Sequence, residues 1–190
     1  MIDTVDIESQ QLNLDSGDIT FKLVNGSINN LGSVLKAGHS PGIMSISGDL
    51  IQSQLSTLEV EIGGTEESDY DRYIIGGKFT AGGVLDVVLI NEFVPTQGFS
   101  IDIIDFATVS GEFDEIKVPS LDGKYNWDTS TLLEDGVLRL MFDNEKEGVY
   151  IKGKPLNYPN PFRLSEGTKL QYYLGQAMNI EILFLKRIKI

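Results

Sequence analysis

The chain contains no cysteine. That excludes a disulfide framework, a thiolate metal site and a cysteine nucleophile. Histidine is almost as scarce: His39 is the single one, so zinc sites built from several imidazoles are not expected. Positive charge is also short, with 15 Lys and Arg against 28 Asp and Glu and a net charge of −13. Nucleic-acid binding needs a basic footprint and is therefore not expected. No run of 18 apolar residues occurs, so no transmembrane helix is expected. The opening stretch, MIDTVDIESQ, lacks the basic region and apolar core of a signal peptide. No segment carries a 3.6-residue apolar stripe with helix caps, and only STLLED (130–135) reads as a single helical turn.

What is present is alternation. Apolar residues make up 41% of the 190 and charged residues 23%, the balance of a globular chain with a real core. ITFKLV (19–24) places Ile19, Phe21 and Leu23 on one face. STLEVEIGG places Leu58, Val60 and Ile62 on one face and Glu59 and Glu61 on the other. GVLDVVLI, FSIDIIDF, GVLRLMF and MNIEILFL read the same way, as half-buried strands of period two. Glycine is abundant at 20 and often paired, as Gly63-Gly64, Gly76-Gly77 and Gly82-Gly83, which marks tight turns between short strands. Weak self-similarity runs through SGDI (16–19) and SGDL (47–50), NGSI and LGSV, GGKF and GGVL. Repetition without a strict period favours an all-β chain wound as an irregular solenoid. Coils of roughly 20–25 residues, ~4.8 Å apart, would number about six or seven.

Charge and proline divide the chain. Residues 1–151 hold 8 Lys and Arg and 26 Asp and Glu, a net of −18, whereas 152–190 hold 7 and 2, a net of +5. Three of the six prolines, Pro155, Pro159 and Pro161, fall just past that boundary. The expectation is a β-solenoid domain over 1–151 with a C-terminal cap, then a Pro-containing linker and short basic β tail over 152–190.

Three groups of residues carry candidate chemistry. The first is GHSPG (38–42). As a catalytic base His39 would activate Ser40, which needs an orienting carboxylate, and as a metal ligand it would need partners. Read as a turn, Pro41 presets φ and Gly42 permits positive φ, so His39, Ser40, Pro41 and Gly42 are assigned a structural role. The second group is acidic: Glu66, Asp69 and Asp71 within TEESDYD form a candidate calcium site of hard oxygen ligands, set against the solvated acids of a strongly negative domain. The third is aromatic. Trp127 and Tyr125, with Tyr70 and Tyr73, form a candidate sugar-stacking platform, against which stands packing of Trp127 into the cap of the solenoid, with Asp128-Thr129-Ser130 closing a turn. No residue is assigned a catalytic role, and an enzyme is not expected.

Residues 32–140 resemble the terminal passenger segment of autotransporter-type bacterial surface proteins. The likeness rests on AGHSPGIMSISGDLIQSQLSTLEVEIGG, on YDRYIIGGKFTAGGVLDVVLINEFVPTQGFSIDIIDF, and on GEFDEIKVPSLDGKYNWDTSTLLEDGVLRL. It implies a right-handed parallel β-helix, or its C-terminal cap, in a secreted or surface-attached protein. The tail, NYPNPF followed by GTKLQYYLGQAMNIEILFL, resembles the C-terminal sorting domain of type IX secretion cargo, although Arg163-Leu164 stands where that family usually has Asn-Pro. Both imply an extracellular or cell-surface setting, with Met1 added or internal to a longer product. The function expected is a non-catalytic structural or adhesive module meeting surface glycans or cell-surface proteins. The alternatives are a carbohydrate-binding module or an accessory part of a polysaccharide-degrading β-helix enzyme.

Overall fold

The computed structural model describes residues 2–121, 125–142, 156–158 and 169–171. Contacts divide the chain into two units, Met1–Phe142 and Asp143–Ile190. The boundary expected at Ile151 lies outside the described residues, as do MNIEILFL and most of the tail.

The first unit runs β1 (Ile2–Leu14), β2 (Asp18–Asn30), β3 (Val34–Ala37), β4 (Ile43–Ile46), β5 (Leu50–Gln52), β6 (Thr57–Ile62) and β7 (Arg72–Ala81). It continues with β8 (Val84–Leu89), β9 (Ser100–Asp102), β10 (Ile104–Gly111), β11 (Glu115–Lys117), β12 (Tyr125–Asp128), α1 (Leu132–Asp135) and β13 (Val137–Phe142). In the second unit β14 (Leu156–Tyr158) pairs antiparallel with β15 (Lys169–Gln171). The chain is mostly β, and its large sheet is parallel.

That sheet has ten strands, with the path β10-β7-β4-β2-β3-β6-β8-β11 and with β1 and β5 joined beside β2 and β7. Its register sorts the core into three rows. One is Val5, Val24, Ile46, Ile75 and Phe106. A second is Leu12, Ile28, Leu50, Phe79 and Val109. The third is Ile19, Leu35, Leu58, Leu85 and Ile116. In each row the three middle members are buried and the two end members half-buried. Burying a side chain of this size contributes about 1.5–3 kcal/mol, so the middle of each row is where the sheet is held.

The rows are five positions deep rather than six or seven, because the spacing widens along the chain. From Ile19 to Leu35, Leu58, Leu85 and Ile116 the steps are 16, 23, 27 and 31 residues. The same register sorts the repeats. NGSI, SGDL and GGKF occupy one position of successive strands, where Gly48 N–H donates to Gly26 O and Gly77 N–H to Gly48 O, both at 2.9 Å. SGDI instead pairs with residues 32–35, so its likeness to SGDL joins two different rows.

One predicted face is corrected. Phe21 and Val24 are buried, but Leu23 is 41% exposed. Strand β2 leaves β3 after Phe21 and takes up β4 at Leu23. The direction of burial changes there, and Lys22 and Leu23 both point outward. Strand β6 pairs with β8 along its full length, and its Leu58, Val60 and Ile62 are all fully buried, as the alternation requires.

Strands β12, β13 and β9 form a separate antiparallel sheet. Its Ile101, Leu138 and Leu140, with Phe99 and Leu132, join the same apolar core as the three rows. The STLLED stretch contains α1, closed by Gly136 in the left-handed region at φ +74.

Candidate functional site

Residues 38–42 connect β3 to β4, and the Ser40–Pro41 peptide is cis. The positive φ falls on Gly38, at +48, and not on Gly42. Gly42 is needed for a different reason: a Cβ there would stand 2.6 Å from the His39 nitrogen. The His39 side chain is 64% exposed, with Nε2 3.9 Å from Asp3 Oδ1. Ser40 Oγ donates to Glu61 Oε2. The histidine and the serine therefore engage different acids, and the pairing a nucleophile requires is not formed.

Below this turn lies the one acidic side chain that is buried among the described residues. Asp71 is 1% exposed. One of its oxygens accepts Gly42 N–H at 2.7 Å and the other accepts Glu61 N–H at 2.9 Å, joining the 38–42 turn to β6. Burial pushes its carboxyl up to about 7 against the pull of those two amides, and the negative charges of Glu61 and Glu59 add to the rise. Beside it the Tyr73 hydroxyl lies 2.9 Å from Leu35 O and 2.7 Å from Glu59 O. Lys36 bridges Glu59 at 3.0 Å and Asp18 at 3.3 Å. The sequence reading missed Asp71 as an interior group, although the signal was present. Asp71, Tyr73 and Ile75 alternate, and all three face the interior.

The proposed calcium ligands do not converge. Glu66 is exposed, and Asp69 closes its own loop by accepting Glu66 N–H at 3.4 Å and Ser68 Oγ at 3.3 Å. Asp71 is committed to the two backbone amides. Among the described residues no group of three or more acidic or histidine side chains is placed to hold a metal ion. The nearby acid that does matter is paired. Arg72 reaches Asp102 at 2.9 Å, Asp105 at 2.7 Å and Glu67 at 3.5 Å, tying β7 to β9 and β10. Burial raises the Asp102 carboxyl, Asp105 raises it further, and Arg72 opposes both.

Tyr70 and Tyr73, 5% and 0% exposed, belong to the core, so their faces are closed to a sugar. Trp127 is half-buried, donates Nε1–H to Pro119 O at 2.9 Å and meets Phe99 edge-on with centroids 5.9 Å apart. Tyr125 is half-buried on the same strand, opposite Phe142 of β13. Asp128 accepts both Ser130 N–H at 3.0 Å and Ser130 Oγ at 2.6 Å, the turn expected of Asp128-Thr129-Ser130.

No protein-family model matches this chain, and no curated protein matches it. Among the described residues no helix is long and apolar enough to cross a membrane. Asp71 and Arg72 thus pin turns and strands of the first unit to one another.

Proposed function

We propose that the first unit winds as a right-handed parallel β-helix and serves as a non-catalytic structural or adhesive module of a larger extracellular or cell-surface protein. The observation that carries this reading is the set of three five-member rows, visited in rotation by the chain through parallel pairings alone. Residues 34–37, 43–46 and 50–52 each pair with a different segment of β2, and the cycle then recurs in β6 and β7. On this reading the β9-β13-β12 sheet covers one end of the helix. An uncovered end would present open strand edges and associate. Polar groups would then serve chiefly to hold corners, as Asp71 and Arg72 do, and the outer faces would meet partners.

The absence of cysteine makes the winding directly testable. Ser45 and Ile74 are register partners on β4 and β7, whereas Leu23 lies one further strand away from Ile74. Ser45→Cys with Ile74→Cys should oxidise to a disulfide, because paired strands stand ~4.8 Å apart. Leu23→Cys with Ile74→Cys, about twice that distance, should not. The reverse result would reject the register and the winding with it. For location, an antibody against this chain should stain intact, unpermeabilised cells, and staining that needs permeabilisation would reject a surface role.

A further inference from the structure

The corner at Gly82-Gly83 is recessed. Strands β7 and β8 are joined by those two residues alone, whereas Ser53–Ser56 join β5 to β6 and Glu112–Asp114 join β10 to β11. The three connections lie side by side, since Val84 N–H donates to Ser56 O at 2.9 Å and Asp114 N–H to Gly83 O at 2.8 Å. The shortest is in the middle, and a hollow of about 720 Å³ opens there. Its floor stays bare: a Cβ on Gly82 would fall on Gln52 O and one on Gly111 on Ala81 O.

The two walls differ in kind. On one side stand Leu31 and Leu55, 39% and 83% exposed. On the other stand Glu112 and Asp114. Asp114 Oδ2 accepts Gly83 N–H at 2.8 Å, while Glu112 makes no hydrogen bond or ion pair among the described residues. Among the described residues no lysine or arginine lines the hollow. A single exposed leucine calls for no account, but two that flank one recess opposite acids with no basic partner form a surface with a polarity.

We propose that this notch takes a lysine or arginine side chain presented by a partner polypeptide. Such a side chain carries an apolar stem and a cationic head, which match the leucine wall and the acidic wall in turn. Anionic ligands are opposed by both acids, and an uncharged apolar ligand would leave their charges uncompensated. The notch is defined by strand register and surface chemistry, whatever the winding or the location of the protein.

The full chain, labelled with ¹⁵N, would be titrated with the blocked tripeptide acetyl-Leu-Lys-Leu-amide and with acetyl-Leu-Glu-Leu-amide. The lysine peptide should shift the Gly82, Gly83 and Gly111 amides saturably, with a Kd of about 1 mM, and the glutamate peptide should not. Glu112→Gln with Asp114→Asn should weaken binding about fivefold or more while leaving the rest of the spectrum in place, because the carboxamide oxygen introduced by Asp114→Asn can still accept Gly83 N–H. Leu55→Ala, at an exposed position, should weaken it about two- to threefold. Shifts scattered over the acidic surface, equal binding of the two peptides, an unchanged affinity in the double variant, or no shift at about 10 mM peptide would each overturn the proposal.

Discussion

Asp71 receives the backbone N–H of Gly42 at 2.7 Å, although 29 residues separate them, and that contact fastens the 38–42 turn to the sheet. The fastening comes at a cost in charge. The Asp71 carboxyl is pushed from 3.8 up to about 7, first by burial. Its folded value lies above its unfolded one, so its contribution to stability is fully present below about pH 4 and is lost as pH rises through 7. A shift of this size corresponds to about 4 kcal/mol. Asp71→Asn removes the ionisation but sets an NH2 group against one of the two amides, much as the protonated acid does. Urea midpoints measured from pH 4 to pH 8 should therefore show the wild type losing ground to the Asn variant by up to about 4 kcal/mol. Parallel curves for the two proteins would show that Asp71 ionises freely in the fold.

The glycine corners make a sharper steric prediction. Gly83 has φ +61, and a Cβ there would fall on Ser56 O; Gly98 has φ +83 and nothing within 4 Å of the same position. Gly83→Ala should cost about 3 kcal/mol or more, and Gly98→Ala about 1 kcal/mol, the conformational penalty alone. Thermal unfolding of the two variants separates them. Equal losses would mean that the stacked corner can yield without cost.

Legibility followed the pairing geometry. Where a strand keeps its neighbours along its whole length, as β6 does, side-chain alternation predicts the buried set of Leu58, Val60 and Ile62 without error. Where a strand changes neighbours, as β2 does at Lys22 and Leu23, the period breaks, and no local pattern marks the place. The repeats were visible as likenesses but could not be put in register, because the spacing between paired residues runs from 16 to 31. The candidate groups erred in a shared way. Asp71 and Tyr70 stand among surface candidates in the sequence, yet both are buried: Asp71 keeps the alternation of Tyr73 and Ile75, which a run of acids masks, whereas Tyr70 lies out of that phase at a bridge to Ile62 that no local pattern marks.

Position within a row should decide the cost of truncation. Leu58 is the middle member of its row and fully buried, Leu12 is an end member and half-buried, and Leu55 is 83% exposed. Leu58→Ala should cost about 2–5 kcal/mol, and Leu55→Ala less than about 0.5 kcal/mol. Leu12→Ala should fall between them, because less contact is lost and water can fill the gap. A Leu12 loss equal to that of Leu58 would show that the open end of the row is covered in solution.

Arg72 holds two carboxylates, and one of them, Asp102, is pushed toward its neutral form by burial. The guanidinium reaches Asp102 at 2.9 Å and Asp105 at 2.7 Å, and the charge of Asp105 raises the Asp102 carboxyl further. Arg72→Met keeps most of the stem and removes the charge. The Asp102 carboxyl, already raised by burial, must then rise further. A folded value above the unfolded one means stability lost as pH climbs, so the variant's deficit should grow from acid to neutral solution. At pH 7 it should reach about 1–3 kcal/mol, between the values for an exposed and a fully buried pair, because all three side chains keep some contact with water. Adding Asp102→Asn should recover part of that loss, giving a coupling of about 0.5–2 kcal/mol in a double-mutant cycle. A deficit that is the same at pH 4 and pH 7, with strictly additive variants, would mean that Arg72 contributes only its stem packing between β7 and the β9–β10 segment.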